Sequence, residues 1–149
     1  MNNYIYGHVV MFIVMVIVGI CFNPMNILAY RFNDLYISLT LFYGGLLMAS
    51  NMMWAHEVVH YIKMGHFDIN VFIVGIILSV TVSLLLLREQ WLVNDKQWLM
   101  RMIPHHSTAL TTSHKIYERT KNVEIKKLAE EIIKTQEREI ELMKSLLRV

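Results

Sequence analysis

The chain has 149 residues, 55% hydrophobic and 17% charged, with a formal net charge of +2. So apolar a composition is not that of an ordinary soluble domain of this size and points to a lipid bilayer. The charge is neither basic enough nor one-signed enough for a nucleic-acid partner, and the lone cysteine, Cys21, excludes an internal disulfide.

The charges are unevenly placed. Residues 1–87 hold two basic side chains, Arg31 and Lys63, and three acidic ones, Asp34, Glu57 and Asp68; residues 88–149 hold the other twelve basic and nine acidic ones. An apolar region over 1–90 is therefore expected to precede a water-soluble region over 91–149.

Three apolar runs, Tyr6–Phe22, Leu35–Trp54 and Ile69–Leu87, carry no charge. Each approaches the ~20 residues that cross a hydrocarbon core, so three transmembrane helices are expected. Tyr4, Tyr6, Trp54 and Tyr61 would lie at one interface, and Tyr30, Tyr36 and Trp91 at the other. The first run lacks a basic start and a small-x-small cleavage site, which reads as a retained anchor rather than a signal peptide. With three spans, Lys63 stands alone on one side, against Arg31, Arg88, Lys96 and Arg101 on the side of the C-terminal tail. That count favours a cytoplasmic tail. Gly45 and Ala49 in the second run, and Gly75, Ser79 and Ser83 in the third, form small-residue stripes suited to close helix packing, within one chain or between two.

The second run leads into His56-Glu57-Val58-Val59-His60, an H-E-x-x-H string. On a helix, that spacing presents two histidines to a zinc ion, with the glutamate as general base. An intramembrane zinc metalloprotease would also need a third ligand and a wet cleft, for which only His66 and Asp68 stand nearby. A different grouping is available. His8, His56, His60 and His66 all fall on one membrane side, with Met11 and Met52 at helical spacing from His8 and His56, and form a second candidate metal cluster. Histidines at headgroup depth and gap-filling methionines need no metal, however.

The tail reads as two amphipathic helices. Asn94-Asp95-Lys96-Gln97 opens the first, Pro104 is expected to kink it or mark its true start, and Asn122 caps the second. Seams are expected along Leu99, Met102, His106, Ala109, Ser113 and Ile116, and along Ile125, Ala129, Ile132, Gln136, Glu139, Met143 and Leu146. Folded back about residue 120 or 121, the hairpin sets His106 opposite Gln136 and Met102 opposite Glu139. Thioether and imidazole at i, i+4 suit copper, especially Cu(I), with Gln136 or Glu139 as ligand or support. The alternative is a metal-free network in which His106 bonds Gln136 and Glu139 and fixes the register.

The stretches "LMRMIPHHSTAL" (99–110) and "LAEEIIKTQEREIELMKSLL" (128–147) resemble the domain-of-unknown-function 305 family. The shared pattern is Met102, Ile103, His105, His106 and Ala109, then Ile132, Ile133, Gln136, Glu139, Ile140 and Met143. The family often has methionine where this chain has Thr112. The resemblance implies a ferritin-like helical fold, copper binding in some members, and a tail outside the cytoplasm. Two hairpins would then pair as a homodimer to complete a four-helix bundle.

The expectation is thus an all-α membrane protein: three transmembrane helices, then a soluble antiparallel helical hairpin amounting to a ferritin-like half-bundle. It would bind copper through Met102, His105, His106, Gln136, Glu139 and Met143, in metal binding or homeostasis rather than catalysis. The alternatives are the protease and a metal-free structural membrane protein.

Overall fold

The computed structural model describes residues 3–148, with side chains from Ile5 on; the Tyr4 ring expected at an interface lies outside the described residues. The fold is all-helical, with no strand among the described residues. Its helices are α1 (Asn3–Cys21), α2 (Pro24–Ile27), α3 (Leu39–Met64), α4 (Ile69–Thr81), α5 (Asp95–Arg119) and α6 (Val123–Leu147). The chain forms two compact units, one of Met1–Cys21 with Leu39–Leu92, the other of Phe22–Ser38 with Val93–Val149.

In the first unit α3 is the central helix, packed by α1 and by α4. Glycine makes both approaches possible. A Cβ on Gly45 would stand 2.9 Å from the Val16 carbonyl oxygen of α1, and one on Gly75 would stand 2.9 Å from the Trp54 amide of α3. The small-residue stripes thus serve packing within the chain: Gly45, Ala49, Gly75 and Ser79 are all buried. Ser50 and Ser79 return their hydroxyls to the carbonyls one turn back, Leu46 and Gly75, so neither polar atom needs water. α3 ends where Gly65 takes a left-handed φ of +69° and returns its amide to Tyr61 at 2.9 Å. The Asp68 carboxylate then caps α4 on the amides of Asn70 and Val71.

α4 widens into π-helical turns over Val82–Arg88. The chain leaves them through Gln90 and Leu92, both left-handed. This exit is held to the start of α3, where Thr40 donates to the Gln90 side chain at 3.0 Å and Tyr43 donates to the Trp91 carbonyl at 2.7 Å. Among the described residues, two helical stretches are long and apolar enough to cross a membrane, Ile5–Ile27 and Ile69–Arg88. α3 has the length, at 26 residues, but not the uniform apolarity.

In the second unit α5 and α6 form an antiparallel hairpin, capped by Asn94 on the Gln97 amide and by Asn122 on the amides of Glu124 and Ile125. Helix α5 runs through Pro104 without ending. Its buried face is Leu99, Ile103, Pro104, Ser107, Leu110 and Ser113, turned from the expected seam. The reason is a third layer, Phe22–Ser38, which lies on the hairpin. Ser107 accepts the Tyr30 amide at 2.8 Å and donates to Asp34 at 2.6 Å, and Tyr30 stacks on His114 with ring centres 4.8 Å apart. Asp34 has no exposed surface, and its other oxygen meets Lys144 of α6 at 2.6 Å.

Two stability predictions follow from these contacts. Gly45→Val in detergent should lower stability by about 1–3 kcal/mol, the usual effect of overpacking, read from the thermal midpoint by circular dichroism. Lys144→Met should lower it by about 3 kcal/mol or more by stranding a buried carboxylate, whereas the double variant Asp34→Asn/Lys144→Met should recover part of that loss.

Candidate metal centre

The tightest grouping of metal-ligating side chains among the described residues is His8, His56 and Glu57, whose ligand atoms all lie within 4.8 Å of one another. It is built from three helices. His8 comes from the second turn of α1, and His56 and Glu57 from the last turns of α3. The start of α4 sets the carboxylate, since the Asp68 amide donates to Glu57 Oε2 at 3.0 Å. That leaves Oε1 facing the histidines, 3.4 Å from His8 Nε2 and 3.6 Å from His56 Nδ1.

Glu57 has no exposed surface and His8 is 8% exposed, while the His56 side chain is 37% exposed. The group is therefore closed at the carboxylate and open at His56. A carboxylate this deep is costly unless paired or bound to a cation. Beyond His56 the rings continue. His60 stacks on His56 with centres 5.9 Å apart, and His66 stands edge-on to His60 at 5.4 Å.

Both histidines of the HEVVH string are thus on one helix face, but the string divides. Its glutamate turns inward to join His56 and His8, whereas His60 Nδ1 lies 3.2 Å from the His66 carbonyl oxygen. The sequence grouped His8, His56, His60 and His66; the structure adds Glu57 as a potential ligand and leaves His60 and His66 as outer neighbours. Of the two methionines at helical spacing, Met52 is exposed and Met11 half-buried. Neither belongs to the close group.

The hairpin set is looser. His106 is half-buried with Nδ1 3.1 Å from Glu139 Oε2, one turn from the Gln136 that equal counting places opposite it. Burial lowers the His106 pKa, partly offset by the Glu139 carboxylate. His105 is exposed, its ring centre 5.9 Å from that of His106. Met143 is buried in the core with Leu99, Ile103, Leu110 and Ile140, and Met102 packs against that core. Gln136 is half-buried. Thr112, in the place of the family's methionine, gives its hydroxyl to the carbonyls of Thr108 and Ala109.

The family described as "Domain of unknown function (DUF305)" matches residues 88–148. The chain is also 36% identical over 128 residues to "Uncharacterized protein L153" of Acanthamoeba polyphaga mimivirus, across 84% of this chain and 81% of that one. The chain belongs to the DUF305 family. No solved structure matches it. A likeness over 84% of the chain reaches well upstream of the DUF305 stretch, into α3, which carries His56 and Glu57.

Within the second unit, sequence reasoning missed the polar cluster of Asp34, Ser107, Lys144, Tyr30 and His114. A lone aspartate in an apolar region was a signal, since such residues are seldom buried without a partner. Nothing in the local pattern says that the partner stands 110 residues away on α6.

Proposed function

We propose that this DUF305 protein is an integral membrane protein that binds a transition-metal ion in metal handling rather than catalysis, with its principal centre at His8, His56 and Glu57. The carrying observation is the pair of 3.4 and 3.6 Å separations from Glu57 Oε1 to the two imidazole nitrogens. A tetrahedral ion with bonds of about 2.0–2.1 Å sets neighbouring ligand atoms about 3.4 Å apart. Two imidazoles and a carboxylate, without sulfur, suit Zn(II) or Cu(II) better than Cu(I).

A second, softer site is proposed on the hairpin, where exposed His105, His106 beside Glu139, and Met102 one turn away make a copper-binding face. Gln136 would act as support. Met143 would have to leave the core to ligate. The hydrolytic reading is disfavoured by Glu57 itself. A general base needs a water to activate, and this carboxylate is sealed, with one oxygen on the Asp68 amide.

The membrane part rests on what α1 and α4 leave uncovered: Val9, Ile13 and Ile17, and Ile73, Ile77 and Val80, are all exposed apolar side chains. α3 is proposed as the third span. Its Thr40, Ser50 and Glu57 are buried among neighbouring helices, where they lower the mean hydropathy without touching lipid. The hairpin is placed on the non-cytoplasmic side, as the family resemblance implies, and is proposed to pair with a second copy into a four-helix bundle.

Two experiments test these readings. Protein purified in detergent should bind about one Zn(II), with affinity falling at least tenfold in His8→Ala/His56→Ala. It should bind Cu(I) separately, with the loss confined to His105→Ala/His106→Ala. Bound metal unchanged by either pair would leave a metal-free structural membrane protein. For topology, in a Cys21→Ala background, Asn33→Cys and Lys63→Cys should react with an impermeant maleimide from opposite faces of sealed membranes. Labelling from the same face would mean that α3 does not cross.

A further inference from the structure

We infer that His66, His60 and His56 form a ladder of imidazoles that passes a divalent transition-metal ion between the α3–α4 turn and the buried His8–Glu57 end. The inference rests on the metal reading of that centre and adds a route to it. Three consecutive ring separations carry it: 5.4 Å from His66 to His60, 5.9 Å from His60 to His56 and 5.4 Å from His56 to His8. Burial is ordered in the same sense, from exposed His66, through half-buried His60 and His56, to buried His8.

The chemistry of ion entry suits such an arrangement. A divalent ion cannot shed its water into an apolar helical unit without replacement ligands, because the bare charge is far too costly there. Rings spaced within one ion's reach let each new nitrogen bind before the previous one lets go. The i, i+4 relation of His56 and His60 on α3 supplies the middle step. The loop supplies the outer one, since the left-handed Gly65 turns the chain so that the His66 carbonyl oxygen sits 3.2 Å from His60 Nδ1.

That contact also sets the chemistry of His60. A carbonyl only accepts, so Nδ1 must carry the proton, and the lone pair is left on Nε2. Histidines that ligate metals are commonly oriented by this kind of bond from the second ring nitrogen. At the inner end the carboxylate of Glu57, fixed by the Asp68 amide, is the charge towards which the ion moves.

The test uses the full-length protein in detergent micelles and Co(II), whose visible absorption reports tetrahedral binding. Stopped-flow mixing measures loading, and excess chelator measures release. Wild type should take up one Co(II). In His66→Ala, and in His60→Ala, loading and release should both slow by about tenfold, with one Co(II) still bound at saturation. A ligand role alone would instead speed release and leave loading unchanged. His66 is exposed, so its truncation opens no cavity in the buried core.

Variants that load at the wild-type rate would overturn the passage while leaving the centre intact. A second Co(II) in wild type that disappears in His66→Ala would also overturn it, by making the outer rings a static site. Wild type that takes up no Co(II) would overturn the metal reading itself, and the passage with it.

Discussion

A carboxylate with no exposed surface, set among apolar helices, is the constraint on which the first unit depends. Glu57 receives the Asp68 amide on one oxygen and faces His8 and His56 with the other. In doing so it fixes the end of α3 against α1 and against the start of α4. Removing one partner of a buried charge generally costs more than the pair gains, because the remaining charge is stranded. The three helix ends are therefore held in register by a group that the unit cannot easily expose. The glycine contacts at Gly45 and Gly75 complement this: they bring the backbones together but are apolar and carry little orientation of their own.

The second unit solves the same problem with different chemistry. Asp34 is equally buried, and it is met by a full cation, Lys144, and a hydroxyl, Ser107. A lysine and one hydrogen-bonding hydroxyl meet that carboxylate. At the Glu57 site the carboxylate instead faces two imidazoles, which are metal ligands, and an amide. That contrast is why the Glu57 group reads as a functional centre and the Asp34 group as structure. Arg31 reinforces the second unit from outside, through half-exposed pairs with Glu137 and Glu141 worth little individually.

Much of this was legible in the sequence, and the failures have physical causes. Caps declare themselves locally: Asn94 and Asn122 sit at the starts that their spacing indicates. The histidine gathering was also legible, because counting spans puts His8 on the same side as His56 and His60. What the string concealed was the role of Glu57. A motif assigns its glutamate by analogy, whereas the direction it faces is set by a packing partner 49 residues upstream. The α5 seam failed for a related reason. A 3.6-residue period reports that one side is apolar, but not that Phe22–Ser38 will cover Ile103 and Ser107 on another. On α3 the expected third span is not shown, because its buried Thr40, Ser50 and Glu57 make it less apolar than α1 and α4.

The donor set also bears on what kind of metal binding the proposed centre would support. Structural zinc sites are closed by four protein ligands, often thiolates that cancel the ion's charge. Here three ligands carry one negative charge, so a divalent ion would keep a net positive charge and an open position. Such a site holds its ion while remaining able to exchange it. Retention would come from burial at the Glu57 end, and exchange from the partly exposed imidazole of His56 and the rings beyond it. A centre meant only to hold three helices together has no use for a line of ligands of rising exposure. One meant to take up and give back an ion needs that line.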